Sequence, residues 1–143
     1  MNSSWDATKR AKEGAERRAE AQKEKQVAEA QAEKSWREEV ARFKSENIRP
    51  VLEEGLRAMN EDVRAIRDES TRITVDLGKH RFQVTLFLER SSRTIGFKLG
   101  GNPSVHGVTS STRVRPEEYA QFRGNLEGSF RAWLTSHYTE MGR

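Results

Sequence analysis

Apolar residues follow three rhythms along this chain, and the changes of rhythm divide it. Residues 6–46 hold no proline and a single glycine, Gly14. They are mostly Ala, Glu, Lys, Arg and Gln, the side chains that lose least freedom in a helix. Ser3, Ser4 or Asp6 can supply an N-cap oxygen. Opposite charges recur at i,i+4, as in Glu13–Arg17, Glu33–Arg37, Glu38–Arg42, Lys12–Glu16 and Lys25–Glu29. Each such pair adds only about 0.2–0.5 kcal/mol. A continuous helix over this stretch spans about 60 Å. Ala7, Ala11, Ala21, Ala28 and Ala32 trace a heptad broken by Arg18 and Lys25. That narrow seam fits weak coiled-coil pairing, and a lone charged helix is the alternative, because leucine and isoleucine are missing from it.

From Trp36 the helical rhythm strengthens. Trp36, Val40 and Phe43 follow 4–3 spacing, and Leu52, Leu56, Met59, Val63 and Ile66 continue it. Between the two sets lies Asn47-Ile48-Arg49-Pro50, where proline withholds a backbone donor and disfavours helix in the residue before it. A kink or break is expected there, with Pro50 opening a second helix that ends near Asp68 to Ser70. Trp36, Val40 and Phe43 would be left in water by a lone helix. They are expected to bury against a second chain or against the domain, and are assigned to oligomerisation.

The rhythm then changes to two. Ile73, Val75 and Leu77 alternate with polar residues, and so do Phe82, Val84, Leu86 and Leu88, then Ile95, Phe97 and Leu99. Short turns separate them, and 105–114 reads as a weaker fourth strand. No connection is long enough for a parallel crossover, so the sheet is expected to be antiparallel. Pro116-Glu117-Glu118 opens a last helix whose apolar face is Tyr119, Phe122, Leu126, Phe130, Trp133 and Leu134. Ala120, Gly124, Gly128 and Ala132 form a smooth stripe on it. Close approach to its own sheet or second helix is the expected use of that stripe, a symmetric helix–helix contact the alternative. The predicted fold class is α+β: a long N-terminal helical arm (1–46), then a four-stranded antiparallel meander packed by one preceding and one C-terminal helix (47–143).

Composition supports that division. Of 143 residues, 34% are hydrophobic and 34% charged. Among the 35 apolar residues larger than alanine, only Met1, Trp5 and Val27 fall in 1–35. The remainder suffices for one small core. The absence of cysteine excludes disulfides, thiolate zinc sites and cysteine nucleophiles. The longest apolar run, Leu86-Phe87-Leu88, is far short of a membrane span, and the charged N-terminus lacks the apolar core of a secretory signal. A cytoplasmic protein with no membrane partner is expected.

Charge points to one surface. The net charge is +4, yet residues 71–115 alone carry eight Lys and Arg against Asp76 and Glu89. Strand alternation places Arg81, Phe87, Lys98, Arg113 and Arg115 on the outer sheet face, a candidate surface for an anionic partner or a peptide, with Phe87 as a stacking platform. Such a charge is modest, and nucleic-acid binding is expected to be weak.

Catalytic chemistry finds little support. The three histidines, His80, His106 and His137, lack partners at metal-ligand spacing, and a histidine in a turn is expected to be solvated. Gly100-Gly101-Asn102-Pro103-Ser104 lacks the lysine and spacing of a phosphate loop. No catalytic residue, metal or cofactor is expected. The function class that remains is a non-enzymatic protein-interaction or scaffold (adaptor) protein, a homo-oligomer built through its arm and holding a protein partner. A nucleic-acid-associated protein using the basic face is the alternative.

Overall fold

The computed structural model describes residues 3–89, 94–105 and 110–142, and the side chains of these except Ser3, Glu89 and 110–113. The chain divides into two compact units, Met1–Trp36 and Arg37–Arg143. The first is the body of helix α1, Ser3–Phe43. From residue 4 to residue 35 every position except the half-buried Gly14 is exposed, including Trp5 at 59% and Val27 at 56%. A helix that is polar all round is held by its own propensity and its i,i+4 pairs. Lys12 and Glu16 show how weak these are: they stand 3.9 Å apart with both side chains in water.

The second unit takes in the last turns of α1, ten residues before the boundary expected at residue 46. Val40 and Phe43 are 1% and 3% exposed. The Phe43 ring lies 5.0 Å from Phe122 and 5.1 Å from Tyr119, centroid to centroid. Lys44 is buried with them and donates to the Asp68 carboxylate and, at 2.5 Å, to the Glu69 carbonyl. Val40 and Phe43 are thus core of their own chain, buried like Ile48, Leu52 and Leu56 after them.

At the expected kink or break the chain makes one widened turn. Lys44–Ile48 forms one π-helical stretch, closed by Arg49 N–H donating to the Lys44 carbonyl five residues back. Helix α2, Arg49–Ala58, follows with Pro50 in its first turn, where the missing donor costs nothing. It buries Leu52 and Leu56 and ends earlier than expected, at Ala58, where Asn60 adopts a positive φ of 58°. The residues expected to prolong it form a 3₁₀ turn, Val63–Ala65, capped by the Asp62 carboxylate accepting from Arg64 N–H, and a three-residue strand.

That strand, β1 (Ile66–Asp68), makes the sheet five-stranded. The others are β2 (Arg72–Leu77), β3 (His80–Glu89), β4 (Thr94–Asn102) and β5 (Ser110–Val114), in sequential antiparallel order. Ile66 pairs with Val75, Val75 with Phe82, Val84 with Leu99, Leu86 with Phe97 and Ile95 with Val114. Paired residues share a face, so these rows form one apolar side. Against it lies α3 (Tyr119–Met141), burying Phe122, Leu126, Phe130, Trp133 and Leu134. Phe82 packs on Phe130 and Trp133 at 5.0 and 5.7 Å, and Phe97 on Phe122 at 4.7 Å. Fully burying each such ring stabilises by about 1.5–3 kcal/mol. Among the described residues no helix is long and apolar enough to cross a membrane.

The glycines sort by position. Gly55 is the close-contact site between α2 and α3: a Cβ there would sit 2.7 Å from the edge of the Phe130 ring. The stripe on α3 does the opposite of what its smoothness suggests. Ala120, Gly124, Gly128 and Ala132 are all exposed, and a Cβ on either glycine would meet nothing within 4 Å. The buried residues of α3 occupy the other side of the helix, and this side is turned away from them. Opposite signs are therefore expected. Gly55→Ala should lower the urea midpoint, because overpacking costs about 1–3 kcal/mol against about 1 kcal/mol of helix propensity gained. Gly124→Ala with Gly128→Ala should raise it, since each adds about 1 kcal/mol of helix stability.

Candidate functional site

Two places in the Arg37–Arg143 unit gather side chains able to do chemistry. The first is the outer face of the sheet, built by the polar alternates of β1 to β4. Its rows follow from register. Asp76 and Arg81 pair in one row, Arg67, Thr74, Gln83 and Gly100 form the next, and Arg72, Thr85 and Lys98 the third. Phe87 lies opposite Gly96 beyond them, 37% exposed. An aromatic ring over a cross-strand glycine covers backbone that glycine leaves bare.

Of the five residues expected to form a binding patch, Lys98 and Phe87 are close, each next to Thr85 across or along the strand. Arg81 stands near the start of β3, six residues from Phe87. Arg115 lies one residue past β5 at the cap of a short 3₁₀ turn, Pro116–Glu118. Arg81 and Arg115 thus occupy opposite ends of the sheet, about 25 Å apart at 3.3 Å per residue. Arg113 belongs to β5, and its side chain lies outside the described residues, as does the whole of His106. Arg67 and Arg72 were missed as members of this face. Arg67 belongs to a strand too short to show alternation, while Arg72 was visible as a polar alternate of β2.

Electrostatics temper the face. Arg81 Nε donates to Asp76 at 2.7 Å, and Arg67 Nε approaches the same carboxylate at 3.2 Å. Contact with Asp76 holds the Arg81 guanidinium above its already high ordinary range. Arg72 donates through Nε and Nη2 to Glu69 at 2.9 and 2.7 Å. Lys98 is exposed with no ion pair among the described residues. Three of the four described cations are thus partnered by carboxylates. At the centre, Thr74 is 2% exposed, flanked by Arg67 and Gln83, and its Oγ1 has no hydrogen-bond partner among the described residues.

The expected oligomerisation stripe is divided. Val40 and Phe43 are enclosed by their own domain and offer no surface to a second copy, while half-buried Trp36 closes the Met1–Trp36 unit.

The second place went unseen in the sequence. His80, expected to be solvated in its turn, is 3% exposed and His137 is 4% exposed, and their Nδ1 atoms stand 2.7 Å apart. His80 opens β3 at the tight β2–β3 turn, and His137 sits in the last turns of α3. His80 Nε2 meets Glu140 Oε2 at 3.0 Å, and the Glu140 side chain reaches solvent. His137 stacks on Trp133 at 5.7 Å with the rings 12° from parallel. Next to it, Tyr138 OH donates to Glu61 at 2.8 Å, and burial together with that hydrogen bond pushes the phenol up to about 12. Burial, then the neighbouring His80, lowers the His137 pKa from its ordinary value, with Glu61 and Glu140 pulling the other way. The arrangement can share one proton between the two rings and exchange another through Glu140. Among the described residues, no group of three or more histidine or acidic side chains is placed to hold a metal ion.

No family model, curated protein or solved structure matches this chain.

Proposed function

We propose that the protein is a non-enzymatic interaction protein of the scaffold kind, in which the exposed arm pairs with the arm of another copy and the outer sheet face receives a protein segment. One observation carries this: from residue 4 to residue 35 the helix buries nothing beyond half of Gly14, yet it exposes Trp5 and Val27. Isolated helices gain little stability from propensity alone, and large apolar side chains along one are a reason to associate. The heptad-like alanine seam supplies a surface for close helix pairing.

The sheet face favours a peptide over a nucleic acid. Arginines already bound to Asp76 and Glu69 release few counterions on meeting phosphates, so little salt-dependent affinity is available there. An uncovered Phe87 beside Lys98 and Thr85 suits a segment with an apolar side chain and an acidic one.

Light scattering tests the proposal in one series. The full chain should show a mass above that of one copy, and a chain of residues 37–143 should fall to a single copy while still melting cooperatively. A monomeric full chain would refute the pairing. Submicromolar RNA or DNA binding at about 150 mM salt, lost when Arg81, Lys98, Arg113 and Arg115 are changed to glutamate, would replace the peptide with a nucleic acid.

A further inference from the structure

The buried histidine pair, with the His80–Glu140 contact beside it, ties the last turns of α3 to the β2–β3 turn. Two imidazole nitrogens 2.7 Å apart need one hydrogen between them: one Nδ1 donates and the other accepts. His80 can carry a second N–H toward Glu140 without disturbing this. What the pair cannot accommodate is a proton on both Nδ1 atoms, because two donors would then face each other at hydrogen-bond distance in a site sealed from water. The rings would have to part. His137 could leave only by abandoning its stack on Trp133.

We propose that His80 and His137 form a proton-operated latch, which holds the last turns of α3 to the β2–β3 turn with one proton between the rings and lets them go when a second proton binds. The charged and titratable groups around the pair come from three elements. Glu140 and Tyr138 lie on α3, and Glu61 lies in the connection after α2. Lys79 and Arg81 flank His80 in the chain, Lys79 exposed and Arg81 committed to Asp76 on the outer face. Glu61 and Glu140 favour the first proton, and burial resists the second. The lowered His137 pKa fits this order. Its sign follows from linkage. Below the ordinary histidine value of about 6.5 the unfolded or opened chain binds more protons than the closed one, so the closed state is held above that pH and loses ground as pH falls.

The test uses the full chain, isotope-labelled, titrated from about pH 7.5 to about pH 4.5 across the ordinary histidine range. The ring signals of His80 and His137 should titrate as a coupled pair in two separated steps. With the second step the indole signal of Trp133 should shift. Amide protection over 137–141, corrected for intrinsic exchange, should then fall about tenfold per pH unit, while that of α2 stays level. His137→Gln should abolish the second step and flatten the protection profile. If that variant does not fold, His80→Gln must give the same result. Two independent titrations near 6.5 with Trp133 and the helix end unmoved would overturn the latch, as would an unchanged pH profile in either glutamine variant.

Discussion

A chain beginning at Arg37 should unfold at the same urea midpoint as the full protein, and a chain beginning at Asn47 should not fold at all. The ten residues between the two start points decide this. They include Val40 and Phe43, both nearly sealed from solvent, and Lys44, whose ammonium joins the end of α1 to Asp68 and Glu69 beside β1. Losing the buried valine and phenylalanine removes about 5 kcal/mol of burial and leaves a cavity over Phe122 and Tyr119. That is of the order of the whole stability of a domain this size. Circular dichroism melts of the two truncated chains, beside the full chain, measure it directly. A cooperative melt from the shorter chain would show that the α1 end is ornamental to the core.

Trp133→Ala is expected to cost about 3–5 kcal/mol. The indole is 1% exposed, packs on Phe82, and lies between Phe130 and His137, nearly parallel to both. Trp133→Phe should cost far less than the alanine change. The indole Nε1 is buried without a hydrogen-bond partner among the described residues, so phenylalanine forfeits volume but no bond. Urea midpoints at constant slope distinguish the two variants, and equal losses would mean that the nitrogen has a partner after all.

Much of the fold was legible, and the parts that were not share a cause. Ile73, Val75 and Leu77, then Phe82, Val84 and Leu86, alternate over enough residues for period two to declare itself, and their burial follows it. The same holds for the apolar face of α3. Strand β1 is three residues long, too short to have a period, and exists because Arg67 and Asp68 find Thr74 and Ile73 across the ladder. Periodicity also names a face without naming what covers it. Hence Val40 and Phe43 were visible as a stripe, but the choice between a second chain and Phe122 was not. For the small stripe of α3 the ambiguity is greater, since glycine and alanine suit both a tight contact and open solvent. The histidine pair was beyond reach for another reason. Its members are 57 positions apart, and only the completed sheet with α3 laid on it brings them together.

The π-helical turn has a consequence for how length and orientation trade along the chain. Phe43 and Ile48 are five residues apart and both buried, as are Leu52 and Leu56 beyond them. In an unbroken α-helix five residues overshoot a full turn by about 140°, since each advances the chain about 100°. The wide turn absorbs the extra residue, so that two helical segments out of phase by sequence come into phase in space. Winding all five residues of this stretch as ordinary α-helix would swing Val40 and Phe43 off the face that Leu52 and Leu56 present. Removing one residue would instead leave Phe43 and Ile48 four apart, only about 40° past a full turn, and keep them on it. The stretch therefore works as a spacer of angle and not of distance: the width of that one turn sets the azimuth of Val40 and Phe43.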